Sequence, residues 1–163
     1  MSAKKILAII NADIHTIAHR EPIKGSILVK NGKIAAIGQI EIPEEADTID
    51  AAGASVYPGF IDPHTHLGVS EEGMGWEGHD YNEMTDPVTS QLRALDAINP
   101  LDDGYREAAE AGITTVMSTP GSANILGGST VVLKTGNGGL QQRVIRENAG
   151  IKAAFGENPK RVY

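Results

Sequence analysis

The sequence contains no cysteine in 163 residues. That excludes a disulfide framework and any zinc site built on thiolates. Aromatic residues make up only 4%, whereas glycine occurs 19 times. The balance points to tight turns and close backbone approaches rather than a bulky aromatic core. A basic excess is also missing, since 14 Lys and Arg stand against 21 Asp and Glu, a formal net charge of −7. No positive field is available to neutralise phosphates, which argues against nucleic-acid and anionic-membrane partners. Long apolar runs are absent too. The run Ile6 to Ile10 falls far short of the roughly 20 residues a bilayer requires. Asn11, Asp13 and His15 follow it too soon for a secretory leader. What remains is the expectation of a soluble, cytoplasmic globular protein, with an ordinary apolar content of 40%.

The first third reads as short strands. Lys4 to Asn11 is a run rich in β-branched residues. In the stretch Gly25 to Gly38, Asn31-Gly32 separates two apolar runs. That dipeptide suits a type I′ turn, whose two central residues both need positive φ, and predicts a hairpin of strands 26–30 and 33–37. An acidic connector around Pro43 follows, then a turn at Asp50 to Gly53 and a short strand from Ser55 to Tyr57. Residues 1–57 are expected to form a small all-β unit.

The pattern changes after Pro58-Gly59. Phe60-Ile61 leads as a strand into Asp62-Pro-His-Thr-His66, and a long polar, glycine-rich loop runs on to Asp80. Asp86 before Pro87 predicts a helix start, and Val88, Leu92, Leu95 and Ile98 recur at helical spacing until Asn99-Pro100. A second helix is predicted from Asp102 to Ala111, with Gly112 just past its end. Ile113 to Met117 reads as a strand. Gly127-Gly128 reads as a turn into another strand, Thr130 to Leu133. A short helix at 141–147 and a fourth apolar run, Ile151 to Phe155, complete the chain. Strands alternating with helices imply crossover units and a parallel sheet.

His64 and His66 carry the chemistry. Side chains alternate along a strand, so two histidines one residue apart point to the same side. Two neutral imidazoles can then share one divalent metal. They sit where an apolar strand ends, the face at which barrels and open α/β sheets bind ligands. A bare His-x-His is more often a pair of loop residues; the flanking residues change that balance.

Pro58-Gly-Phe-Ile-Asp-Pro-His-Thr-His-Leu-Gly68 closely resembles the signature of the amidohydrolase superfamily. Ala111-Gly-Ile-Thr-Thr-Val116 resembles the second barrel strand of its imidazolonepropionase-like members. The resemblance implies a small β-sandwich segment, residues 1–57, leading into the N-terminal part of a (β/α)8 TIM-like barrel, residues 58–163. It implies a metal-dependent hydrolase of carbon–nitrogen bonds other than peptide bonds. One or two divalent ions, commonly zinc, are held by His64, His66 and further ligands, and activate water that attacks a small-molecule substrate. A homo-oligomer of the full-length enzyme fits the same picture.

By that resemblance, Lys152 is the best candidate for a carboxylated bridging lysine. An ordinary surface lysine is an equally good reading, and Lys134 and Glu157 are rivals. Asp62 either orients a ligand histidine or packs at the strand end. His79 and Trp76, in the long loop, are weaker candidates for substrate contact. His15 and His19 read as structural or exposed. Gly121 to Asn124 reads as a turn on the active face, and Gly136-Asn-Gly-Gly139 is no phosphate loop, since no Gly-Lys-Ser/Thr follows. The family's two later histidines and its proton-shuttling aspartate have no counterpart here, since no histidine follows His79. A full barrel takes roughly 250 residues. The chain therefore reads as the N-terminal part of a longer enzyme, inactive by itself. Two other readings stay open: a non-catalytic or complementing half-barrel, and deaminase or carboxypeptidase-like chemistry on the same scaffold.

Overall fold

The computed structural model describes residues 6–163. The chain divides into two compact units, Met1–Pro58 and Gly59–Tyr163. Together their elements make a mixed α/β protein in which strands predominate.

The first unit is one sheet. Its strands are β1 (Ile6–Ile14), β2 (Ile23–Lys30), β3 (Lys33–Gly38), β4 (Asp47–Asp50) and β5 (Ser55–Val56). They lie in the order β3-β2-β1-β4, with β5 also on β1. The expected hairpin is present: Lys30 pairs with Lys33, and Asn31 and Gly32 have φ of 54° and 74°. Lys4 and Lys5, the start of the expected first strand, lie outside the described residues. The acidic connector does more than expected, because its end becomes β4, parallel to β1. Asn11, at φ 55°, bulges β1 out of register, and its side-chain amide donates to Asp50 (3.0 Å). The Asp50 carboxylate also accepts the Ala52 N–H at 2.8 Å, which closes the predicted turn. Ala12, Ile14 and Ile27 are buried as this unit's core.

The second unit has a four-stranded sheet of order β10-β9-β7-β6 and a separate pair β11-β8. The strands are β6 (Phe60–Thr65), β7 (Ile113–Ser118), β8 (Leu126–Ser129), β9 (Val131–Lys134), β10 (Val144–Arg146) and β11 (Ile151–Ala153). Its helices are α1 (Ala94–Ala97), α2 (Gly104–Glu110), α3 (Leu140–Arg143) and α4 (Glu157–Val162). Val69, Tyr105, Val116, Val131 and Leu133 form the centre of its core.

Only β6 and β7 pair in parallel among the named strands of this unit; β7–β9, β9–β10 and β8–β11 are antiparallel. Gly127-Gly128 is not a turn but lies inside β8. The helix predicted from Asp86 is reduced to four residues. The Asp86 carboxylate accepts the Val88 N–H (2.7 Å), an Asx turn that competes with helical hydrogen bonding. The segment 87–92 then bonds alongside β8, through Thr89 N to Leu126 O and Ser129 N to Leu92 O, both 2.8 Å. Gly128 permits this approach: a Cβ there would stand 2.6 Å from the Leu92 carbonyl oxygen. The helix expected at 141–147 ends at Arg143. Its buried guanidinium lies 3.9 Å from the Tyr105 ring centroid and donates to the Lys134 and Pro100 carbonyls (2.9 and 3.0 Å), while the next residues join β9 as β10. The second predicted helix forms as α2, and Gly112 follows it at φ 85°.

Candidate metal centre

Pro63 shapes the end of β6. It has no N–H to give the ladder, and the register with β7 slips between Asp62 and Thr65. The freed His64 N–H is taken by the Asp62 carboxylate at 3.0 Å. Asp62 thus holds the backbone of His64 rather than its ring. The two imidazoles do come together, with centroids 5.9 Å apart and ring planes at 81°.

His66 is held on two sides. Its Nδ1 lies 2.8 Å from the Thr119 carbonyl oxygen. A carbonyl only accepts, so Nδ1 carries a proton, and in the neutral ring Nε2 is the nitrogen left with a lone pair. Tyr81 stacks on the ring at 5.2 Å and 23°. The backbone after His66 is equally fixed. The Leu67 carbonyl accepts from Ser118 Oγ (2.6 Å) and from the Tyr105 hydroxyl (3.0 Å). Buried Asp102 accepts three backbone N–H groups, from Gly68 (2.8 Å), Glu72 (3.0 Å) and Gly104 (3.1 Å).

β11 brings Lys152 to the same place. Its Nζ lies 3.0 Å from His64 Nε2, across 88 residues of sequence. Lys152 is half-buried, and desolvation holds its ammonium below the ordinary lysine range. The rivals lie elsewhere. Lys134 Nζ donates to Thr115 Oγ1 (2.9 Å), and Glu157 is exposed in the first turn of α4. His79 reaches the centre indirectly, through Tyr81, whose ring lies 5.3 Å from its own. Trp76, in the 3-10 turn Gly75–Gly78, is 78% exposed. His15 stacks on Tyr57 at 4.3 Å within the first unit.

Among the described residues no group of three His, Cys, Asp or Glu side chains is placed to hold a metal. What gathers is two imidazoles and one amine. That donor set fits a divalent ion as part of a coordination sphere, with the His66 Nε2 lone pair free for it. Thr119 and Tyr81 were not legible in the sequence as supports of His66. Tyr81 lies two residues beyond His79 in the long loop, and that proximity is the one local signal it offers.

No family model matches the chain. Among curated proteins, it is 34% identical over 155 residues to an amidohydrolase of Hapsidospora irregularis, a match covering 85% of this chain and 16% of that protein. It is 39% identical over 95 residues to an allantoinase of Escherichia coli, covering 58% of this chain and again 16% of the relative. Among solved structures, an amidohydrolase from Thermotoga maritima superposes with a TM-score of 0.90 at 43% identity. That match covers 96% of this chain and 41% of the other. The chain thus spans about a sixth of the curated relatives and under half of the solved one. In sequence and in fold it is a relative of the amidohydrolases, matching one part of them.

Proposed function

We propose that this chain contributes part of the metal centre of a hydrolase acting on carbon–nitrogen bonds other than peptide bonds, in small-molecule substrates. The observation that carries the reading is the approach of Lys152 to His64, 3.0 Å apart, beside the paired His66. Desolvation also holds the amine below the ordinary lysine range, and an unprotonated amine is the form that carboxylation by carbon dioxide requires. The relatives' names, amidohydrolase and allantoinase, agree with C–N hydrolysis.

His64 and His66 would hold the ion, with Lys152, once carboxylated, offering further oxygen donors. When bound, a divalent cation such as zinc, as one ion or two, supplies the Lewis acidity that polarises an amide carbonyl and acidifies water. The chain's own residues prepare that event. Thr119 sets the tautomer of His66, Tyr81 fixes its ring plane, and Asp62 fixes the backbone from which His64 projects. Outer contacts of this kind orient metal ligands and sustain affinity. In this reading residues 1–57 are the β-sandwich segment and residues 58–163 the beginning of a (β/α)8 barrel. The remaining ligands and the proton-shuttling aspartate are assigned to no residue of this chain.

The test is turnover by the full-length, metal-loaded protein against a panel of cyclic amides and ureides. Replacing His64 and His66 together by Ala is expected to lower kcat by at least about 10³-fold while the first unit keeps its far-UV signature. Retained turnover in the folded double variant contradicts the assignment.

A further inference from the structure

The asparagines of the chain differ in what holds them. Asn99 and Asn158 precede proline, which has no N–H. Asn11, Asn82, Asn124 and Asn148 each have the side chain tied by a hydrogen bond. Asn11 donates to the Asp50 carboxylate (3.0 Å) and Asn124 to the Asp86 carbonyl (2.8 Å). Asn82 accepts from the Ala123 N–H (3.1 Å) and Asn148 from Ser129 Oγ (2.7 Å). Asn31 and Asn137 are left, and both stand before glycine. Their settings are opposite. Asn31 lies in the tight turn of the β2–β3 hairpin, at φ 54°, with Lys30 paired to Lys33 across it. Asn137 is exposed in Gly136-Asn-Gly-Gly139, between β9 and α3. The ends of that loop are anchored: Thr135 N–H donates to the Thr114 carbonyl (3.3 Å), and the Gly139 carbonyl accepts from Gln142 N–H (2.9 Å). Among the described residues, 136–138 make no backbone–backbone hydrogen bond. The space around them is open, since a Cβ on Gly136 or Gly139 would meet nothing within 4 Å.

From this contrast we propose that Asn137 is a site of spontaneous covalent modification, deamidation through a cyclic imide, and that its hairpin protects Asn31 in the same dipeptide. The Gly138 amide nitrogen gives its proton to hydroxide and bonds to Asn137 Cγ. The bond from Cγ to the side-chain nitrogen breaks, and that nitrogen takes a proton from water and leaves as ammonia. Hydroxide is regenerated, so water is the sole co-reactant. Water then opens the imide at either carbonyl, leaving aspartate or isoaspartate. Glycine favours the attack because no Cβ crowds its nitrogen, and glycines on both sides of Asn137 free the backbone to rotate into the ring-closing geometry. In the hairpin the same rotation would break the Lys30–Lys33 pair. The isoaspartyl product adds a backbone carbon between Lys134 and Arg143, which are joined by a bond from Arg143 Nε to the Lys134 carbonyl (2.9 Å). Ageing at Asn137 therefore works against the tie between β9 and α3.

The test follows the full-length folded protein during storage in mildly alkaline buffer, beside a portion digested at the start and a portion stored in denaturant. Trypsin releases residues 135–143 with Asn137, and an aspartate-directed protease releases residues 13–46 with Asn31. In the folded protein the Asn137 peptide is expected to gain the mass of amide-to-acid exchange and to split into aspartyl and isoaspartyl forms. Asn31 should convert at least about 10-fold more slowly, because it reacts only from an opened hairpin. In denaturant the two should convert at similar rates. Equal rates in the folded protein, faster conversion at Asn31, an Asn137 that stays intact, or a difference that persists in denaturant overturns the proposal. Conversion to aspartate alone, without isoaspartate, overturns the imide route.

Discussion

His64 and His66 are held by different means, and that difference has measurable consequences. His66 has a fixed tautomer through Thr119 and a fixed ring plane through Tyr81. His64 is held at its backbone by Asp62, and its ring meets only the amine of Lys152 among these supports. Replacing Tyr81 by Ala should therefore cost about 10- to 100-fold in metal affinity, measured by cobalt titration, whereas Tyr81→Phe, which keeps the stacking, should stay near wild type. At this scale the sequence was informative where the chemistry is local. The His-Thr-His pair and its flanks stood out because neighbouring residues on one strand share a face. The supports of His66 did not, because Thr119 lies 53 residues away and a backbone carbonyl leaves no trace in residue identity. Lys152 was legible only through the resemblance, which offered it among three candidates; its approach to His64 is a tertiary fact.

Elements were legible where a turn residue fixed the backbone. Asn31-Gly32 set the hairpin of β2 and β3, and Gly112 set the end of α2. The helix expected from Asp86 failed for a reason that no periodicity reveals: β8 offered its backbone to residues 87–92, and Gly128 let them come close. β8 leaves the four-stranded sheet to pair with β11, and β9 returns antiparallel beside β7 where a parallel strand was expected. Asp102 shows how a loop is made rigid by one side chain. Asp102→Ala removes an acceptor from three backbone N–H groups, two of them in the segment after His66. It should destabilise the protein by about 3 kcal/mol in chemical denaturation and weaken metal binding with it. Asp50 plays the corresponding part in the first unit. Hydrogen bonds from the Ala52 N–H and the Asn11 amide hold its carboxyl below the ordinary aspartate range. A carboxyl whose proton affinity falls on folding stabilises above its unfolded pKa, and the contribution disappears as pH drops through the lowered folded value. The stability difference between wild type and Asp50→Ala should accordingly be present at pH 7 and shrink in acid below the model-peptide value of about 3.9. A difference independent of pH would contradict that reading.

At the scale of the whole molecule, the two units divide the work. The first has its own sheet and its own buried cluster, and its chemistry is confined to a turn and a bulge. The second gathers on one locus residues that lie far apart in sequence, His64, His66 and Lys152. Among the described residues no helix is long and apolar enough to cross a membrane. The composition excludes thiolate metal sites and argues against nucleic-acid binding. It could not show which lysine meets the histidines, because that depends on how β11 pairs with β8. The proposed function requires that these three side chains converge on one metal ion. The most direct measurement is anomalous diffraction at the zinc edge from crystals of the full-length protein grown with zinc and bicarbonate. A peak bonded to both imidazoles is expected, with added density on Lys152 Nζ reaching toward it. A zinc peak elsewhere in the protein, with His64 and His66 free of metal, would contradict it.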